Sequence, residues 1–303
     1  MNMKSILGKG FVLGIVTMFV FVAVNIPVPA QKTTVTRSLF SRGDFGLQSI
    51  VSIFWDSNQT SAPLDPLGTP RTIILNVTYN SVQTYFFGRI ILFFCQMTHK
   101  SIFVNLDLAG LPDWCTASLT NPHIQFFITG SPSSQLTTLI LAVDEHAPAF
   151  EPFGITIKAK VDTMMGPFGL LPFIKGCDVT NTIYFSAGYL PIIEVAPESS
   201  IIETTPGSTV IDPITITNLG NGKTLVDSYI TGVPPNWLVI LDPQQLVVDI
   251  NESGVTNLSI AVPLNYYGIE TIELSFTPKF YDDPLYQGAP INVYIRVEVR
   301  SNV

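Results

Sequence analysis

Apolar and polar residues alternate along most of the chain. In "INVYIRVEVR", Ile291, Val293, Ile295, Val297 and Val299 share one face, while Asn292, Tyr294, Arg296 and Glu298 share the other. The same period of two runs through "ILNVTYN", "ITITN" and "ETIELSF". Strands with one dry and one wet face belong to antiparallel sheets. No segment beyond residue 30 shows the period of an amphipathic helix. The pattern therefore predicts an all-β chain whose short strands are joined by Gly, Pro and Asn turns, the signature of a two-sheet sandwich.

The alternating blocks occur twice. "LAGLPDWCTASLTNPHIQFF" (Leu108–Phe127) and "ITGVPPNWLVILDPQQLVV" (Ile230–Val248) share Gly, an aliphatic residue, Pro, Trp, an extended stretch and Asn/Asp-Pro. Upstream, "TIILNVTYN" matches "VIDPITITN" and "SIFVNLDLAG" matches "TLVDSYITG". Downstream, "LTTLILAV" matches "VTNLSIAV" and "FGITIKAK" matches "YGIETIEL". From Trp114 to Trp237 the offset is 123 residues, the size of a domain rather than of a solenoid repeat. In the second unit the predicted strands are Val210–Asn218, Thr224–Thr231, Leu238–Asp249, Val255–Val262, Glu270–Thr277 and Ile291–Arg300, with a first strand near Ile192–Ile202. About seven strands per unit is the immunoglobulin-like number. The predicted organisation is two tandem immunoglobulin-like β-sandwiches, residues 31–193 and 194–303, after an N-terminal hydrophobic segment, residues 1–30.

The second unit carries a resemblance. "TPGSTVIDPITITNLGNGKT", "GVPPNWLVI" and "LVVDINESGVTNLSIAVP" are similar to the immunoglobulin-like domains appended to bacterial alpha-galactosidases and found in tandem in archaeal S-layer-type surface proteins. The shared pattern is Pro-Gly-Ser/Thr, alternating apolars, Asn-x-Gly, Pro-x-x-Trp and a strand pair ending in Val-Pro, over roughly residues 205–263. The first unit departs from it, with "TPRT" for Pro-Gly-Ser and a long insertion for Asn-x-Gly. The resemblance implies a secreted or surface-displayed, non-catalytic module and names no ligand.

The N-terminus reads as targeting. Lys4 and Lys9 precede an apolar run of 16 residues, "FVLGIVTMFVFVAVNI", which is short for a spanning helix. Val28 and Ala30 offer a cleavage site after Ala30. The segment is alternatively an uncleaved anchor through residues 11–26, and "KGFV" resembles a pilin-type processing signal cut after Gly10. Sequons at Asn58, Asn76, Asn251 and Asn257 are glycosylation candidates in an exported chain.

Composition removes other classes. The chain of 303 residues is 47% hydrophobic and 13% charged, which excludes disorder. A net charge of −8 without a basic cluster argues against nucleic acid. The three His, at 99, 123 and 146, stand at no metal-ligand spacing, and "DEH" (Asp144–His146) and "YDDP" (Tyr281–Pro284) read as solvated turns. No nucleophile elbow, phosphate loop or paired-His motif is present. No catalytic residue, metal site or cofactor is therefore expected, and no enzyme.

The difference between the repeats is an addition to the first. "SVQTYFFGRIILFFCQMTHK" (Ser81–Lys100) lies between its second and third strands, where the second unit has only "LGNGK". "VDTMMGPFGLLPFIKGCDV" (Val161–Val179) lies between its last two strands. In an immunoglobulin-type sandwich both connections fall at the pole where the chain enters. Two expectations follow. Cys95 and Cys177, one in each insertion, pair as a disulfide while Cys115 stays apart. Phe86, Phe87, Phe168, Leu170 and Leu171 form an apolar contact surface beside the N-terminal segment.

The expected function is an exported, non-catalytic cell-surface protein: a surface-layer component, an adhesin or a spacer. Its partners would be other surface proteins or itself, with the membrane reached through residues 11–26 if these are retained. The alternatives are a filament subunit processed at Gly10 and a carbohydrate-binding accessory module. The last requires a row of exposed aromatics, for which Tyr266, Tyr267, Tyr281 and Tyr286 are the candidates.

Overall fold

The structure, a computed structural model, describes residues 46–83, 86–166 and 172–300. Strands dominate it, as the alternation requires. β1 (Leu47–Trp55), β2 (Arg71–Gln83), β4 (Cys115–Leu119), β6 (Ser133–Val143), β8 (Met164–Met165) and β9 (Pro172–Lys175) form one sheet in the order β4-β6-β2-β1-β9-β8. β3 (Ser101–Ala109), β5 (His123–Phe127), β7 (Pro152–Val161) and β10 (Cys177–Ser186) form the facing sheet in the order β10-β7-β3-β5. There are two helices among the described residues: α1 (Asn58–Ser61) links β1 to β2 within one sheet, and α2 (Phe86–Met97) links β2 to β3 across the sheets.

The period of two decides what is buried. On β2, Ile73, Leu75, Val77 and Tyr79 point inward; across the gap they meet Ile155, Ile157 and Ala159 of β7 and Val104 and Leu106 of β3. Fully burying each such aliphatic side chain favours folding by about 1.5–3 kcal/mol. The second sandwich repeats the plan around its own core, with Ile214, Ile216, Leu258 and Ile260 facing Ile272, Leu274, Phe276 and Ile295. Its sheets run β11-β13-β17-β15 and β12-β19-β18-β14-β16. The strands are β11 (Ile193–Pro197), β12 (Ile201–Thr204), β13 (Thr209–Asn218), β14 (Thr224–Gly232), β15 (Leu238–Asp242), β16 (Gln245–Val248), β17 (Ser253–Ala261), β18 (Gly268–Phe280) and β19 (Ile291–Val299). Both sandwiches belong to one compact unit, Thr36–Val303.

The repeated words now have a structural meaning. Pro112 and Pro234 each open a turn closed by a backbone hydrogen bond three residues on, Cys115 N to Pro112 O at 3.0 Å and Trp237 N to Pro234 O at 3.2 Å. The Trp of each turn meets an aromatic ring edge-on: Trp114 on Phe153 at 4.7 Å, Trp237 on Tyr266 at 5.2 Å between centroids. Asn121-Pro122 and Asp242-Pro243 mark where the chain leaves one sheet for the other. β4 pairs with β6 and β15 with β17, whereas β5 pairs with β3 and β16 with β14. A Pro cannot donate to a ladder, so the ladder is handed over there.

Three expectations need correction. Leu238–Asp249 is two strands, β15 and β16, split at that sheet crossing. The stretch near Ile192–Ile202 likewise splits into β11, which pairs with β13, and β12, which pairs in parallel with β19. The first insertion is not free of helix: it forms α2. There Leu92 and Cys95 face inward, while the outward positions are also apolar, so no polar face existed to mark a period.

Candidate functional site

Among the described residues no group of three or more His, Cys, Asp or Glu could hold a metal ion. His123 Nδ1 lies 2.8 Å from Asn105 Oδ1, and Asp144 Oδ1 accepts from the His146 amide at 2.8 Å, a local turn. A shallow cleft of about 340 Å³ lies between Leu64, Asp65, Arg71 and Leu141. Arg71 directs its guanidinium at the carbonyls of Ala62 and Pro63, the latter at 2.6 Å, so it fastens the loop before β2. The four tyrosines do not form a row. Tyr266 and Tyr267 precede β18 and Tyr281 and Tyr286 follow it, separated by 13 strand residues, about 40 Å.

Two surfaces at opposite ends of the first sandwich are built more deliberately. The first is its junction with the second sandwich, and it is organised by "NLGNGK". Asn218, fully buried, folds the turn: its Nδ2 donates to Gly222 O at 2.9 Å and Val248 O at 3.1 Å, and its Oδ1 accepts from Gly220 N at 3.0 Å. Asn221 then reaches across. Its Nδ2 donates to Ala147 O at 2.7 Å and Gly188 O at 2.8 Å, and its Oδ1 accepts from Leu190 N at 2.6 Å. Its own carbonyl accepts from Ala149 N at 3.1 Å. The side chain is only 3% exposed and its hydrogen-bonding capacity is nearly filled.

Glycine is needed beside it. A Cβ at Gly220 would lie 2.2 Å from Leu190 O, and one at Gly222 would lie 3.0 Å from Ala149 Cβ. Around this polar centre sit aromatic rings from both sandwiches. Phe150 meets Phe280 at 5.0 Å and Tyr286 at 4.5 Å, and Tyr189 meets Phe280 at 5.3 Å. The Tyr189 hydroxyl lies 2.8 Å from Thr224 Oγ1; burial raises its pKa above the usual phenol value.

The second surface is the entry pole. β1 begins at Leu47, opposite Gln83 at the end of β2 and beside Ile174 of β9. The second insertion is thus partly a hairpin that extends the sheet, with Ile174 fully buried and Phe173 partly so. α2 caps the same end: Gly88 approaches Gly46 O and Gln83, and Gln96 Nε2 donates to Thr129 O at 2.6 Å. Its Leu92 and Cys95 join the core, whereas Ile90, Phe93, Phe94 and Met97 are 41%, 61%, 52% and 59% exposed. Phe87, expected in the contact surface, is exposed. Phe168, Leu170 and Leu171, and the side chain of Phe86, lie outside the described residues.

The Cys95–Cys177 bond is not formed: Cys95, Cys115 and Cys177 are all free thiols. The topology does bring the two insertion cysteines to the surroundings of one group, the Tyr79 hydroxyl, which pairs with Ser49 Oγ at 3.3 Å. α2 holds Cys95 into the core, while Cys177 opens β10 opposite Val161 and bonds to the backbone of Val51. Burial pushes all three thiols up, Cys115 and Cys177 to about 11, which keeps them protonated at neutral pH. Of the sequon residues, Asn58, Asn251 and Asn257 are exposed; Asn76 is half-buried on β2 between Phe54 and Leu136. No described helix is long and apolar enough to cross a membrane.

No family model and no curated protein match the chain. Solved structures that resemble it include the D00-D0 domain of intimin, 10% identical over 81% of this chain and 99% of that chain with a TM-score of 0.30. Another is the Salmonella enterica SafA pilin in complex with the SafB chaperone, 10% identical over 81% and 96% with a TM-score of 0.26. A third is the ASH / PapD-like domain of human CEP192, 12% identical over 38% of this chain and 90% of that chain with a TM-score of 0.28. The tandem immunoglobulin-like fold rests on the strand order and the two cores described above.

Proposed function

We propose that the chain is an exported, non-catalytic cell-surface protein in which two sandwiches act as a stiff spacer, as in a surface layer or an adhesin stalk. One observation carries the reading: the junction is fixed by a buried Asn rather than left as a tether. Sandwiches meant to flex are joined by exposed polar linkers with few crossing contacts. Here Asn221 makes four hydrogen bonds to the other sandwich and its connector, inside a cluster of four aromatic rings. The leader-like residues 1–30 supply export, and the limit between the sandwiches, expected at 193/194, falls just before Ile193, which opens β11 of the second. The resemblance of residues 205–263 to modules of surface proteins points the same way. Protease treatment of intact cells, with N-terminal sequencing of the chain from untreated cells, tests this. Loss of the chain from protease-treated intact cells, with Gln31 or Met1 as the first residue of the chain from untreated cells, supports it. A chain protected until the cells are lysed sinks it, and Phe11 as first residue transfers the protein to the filament class.

A further inference from the structure

The entry pole differs from the rest of the molecule in charge as well as in polarity. The chain as a whole carries a net −8, with 23 Asp and Glu against 15 Lys and Arg. None of those 23 acids falls in residues 1–43 or 66–106. The first stretch holds Lys4, Lys9, Lys32, Arg37 and Arg42; the second holds Arg89 and Lys100 at this end and Arg71 at the far end of β2. The second stretch contains α2 and the start of β3. The nearest described acids at this end, Asp162 and Asp178, flank Lys160. Asp162 lies 3.4 Å from its Nζ, and Asp178 is its cross-strand partner. Among the described residues the pole sets Arg89, Lys100, Lys160 and Lys175 against Asp162 and Asp178, a basic end with an apolar crest on a chain that is acidic as a whole.

We propose that α2 docks this pole on an anionic lipid surface, with Ile90, Phe93, Phe94 and Met97 seated among the headgroups and upper acyl chains and Arg89 and Lys100 at the phosphates. Helices that lie in a membrane interface combine an apolar face, aromatic side chains and flanking Lys or Arg. Each basic residue near such a surface adds to the attraction. α2 has the complementary geometry. Its inward face, Leu92 and Cys95, is already used by the core, so the outward face is free to serve another medium without unfolding the sandwich. The chain supplies the location. Residues 11–26 are apolar and residues 27–45 connect them to the pole, where Gly46 lies against Gly88. Nineteen connecting residues span up to about 65 Å when extended, so the connection permits contact with the bilayer without enforcing it. α2 supplies the enforcing contact. Membrane docking does not rest on the spacer reading, and either can fail alone.

The test uses the full chain in vesicles of phosphatidylglycerol and phosphatidylcholine with brominated acyl chains. Phe93→Trp adds an indole on the outward face; Tyr229→Trp adds one on an exposed strand of the second sandwich as a control. The expected result is that the emission added by Phe93→Trp shifts to the blue and falls at least about twofold on bromination, while that added by Tyr229→Trp does not. Omitting phosphatidylglycerol weakens the quenching. Unquenched emission from Phe93→Trp overturns the proposal. If that emission is instead shielded from acrylamide in proportion to protein concentration, the face belongs to a second copy of the chain. Equal quenching without phosphatidylglycerol overturns the role of charge. In Phe93→Ser/Phe94→Ser, an unchanged melting temperature with lost blue-edge shift of a Met97→Trp reporter supports docking; an unfolded first sandwich overturns it, because those side chains would then be core.

Discussion

Replacing Asn221 by Ala is expected to uncouple the two sandwiches. The substitution removes two donated hydrogen bonds and one accepted from the side chain, at 2.7, 2.8 and 2.6 Å, and leaves the backbone bond from Ala149 in place. A buried hydrogen bond contributes about 0.5–1.5 kcal/mol net, so three amount to roughly 2–4 kcal/mol. Two conditions set where in that range the loss falls. Ala147 is fully buried, so its carbonyl keeps the full desolvation penalty. Gly188 and Leu190 are half-buried, so water entering the vacated space restores part of their bonding. The expected cost is therefore about 3 kcal/mol, held in the coupling between domains and not in either core.

Calorimetry reads this directly. For a domain of this size the loss lowers a melting temperature by on the order of 10 °C, and it splits a shared transition into two. Limited proteolysis should open the connector at Tyr189–Ile192 many times faster. Asn221→Asp sharpens the assignment. It keeps the acceptor for Leu190 N but sets a carboxylate against the carbonyls of Ala147 and Gly188, so it should be worse than Ala. Asn257→Ala, on an exposed strand position, should stay within about 0.5 kcal/mol. An Asn221→Ala protein with an unchanged melting temperature and an equally resistant connector would refute the stiff junction.

Three further outcomes are expected. Trp237→Ala should cost about 3–5 kcal/mol by chemical denaturation, whereas Trp237→Phe should cost under about 1.5 kcal/mol, because the indole N–H has no hydrogen-bond partner and only ring volume is lost. Asp212 points inward on β13, accepts from Ser199 N at 3.1 Å, and has its pKa raised by desolvation. A carboxyl whose folded pKa is raised disfavours folding above that window and has no effect below it. Asp212→Asn should therefore melt slightly higher at pH 7, with the difference closing below about pH 4; equal curves at both pH values would refute the reasoning. Native protein at pH 7.5 should resist iodoacetamide, since burial keeps the thiols protonated, and denatured, unreduced protein should take three labels. One label instead of three would restore the Cys95–Cys177 bond.

Strand existence was legible because runs in β2, β13, β17 and β19 alternate with period two, even though Asp212 and Thr256 turn inward and Ile211 and Val255 outward. α2 was not, because "FFGRIILFFCQM" is apolar on both the core side and the outer side, so periodicity had nothing to contrast. The split at Asp242-Pro243 was visible as a repeated Asn/Asp-Pro but not as a change of sheet, since alternation continues through it. Asn221 was visible only as part of a turn. Its side-chain partners lie 31, 33 and 74 residues away, a separation that local pattern does not encode. The sequence signal that did exist was the pair of glycines flanking it, small where another backbone must approach.

The β2–β3 connection of the first sandwich corresponds to the β13–β14 connection of the second. In the second it is "LGNGK", five residues that dock whatever lies before the sandwich: there, the end of the first. In the first sandwich the corresponding end is where β1 begins at Leu47 and where the proposed lipid contact of α2 would lie. A short polar loop satisfies backbone carbonyls and amides, as those of Ala147, Gly188 and Leu190 require. It has nothing to offer a lipid surface, which presents no fixed hydrogen-bonding partners in its apolar layer. An apolar helix has the opposite properties: its backbone is satisfied internally and its outward side chains need no polar partner. Grafting "LGNGK" in place of Ser81–Lys100 separates the two duties. Leu92 and Cys95 would leave the core, so the first sandwich should lose stability by several kcal/mol. A graft that retains the full lipid contact of the parent, read by bromolipid quenching of a Met165→Trp reporter placed in the β8–β9 hairpin of both proteins, would show that α2 is a cap for the core and nothing more.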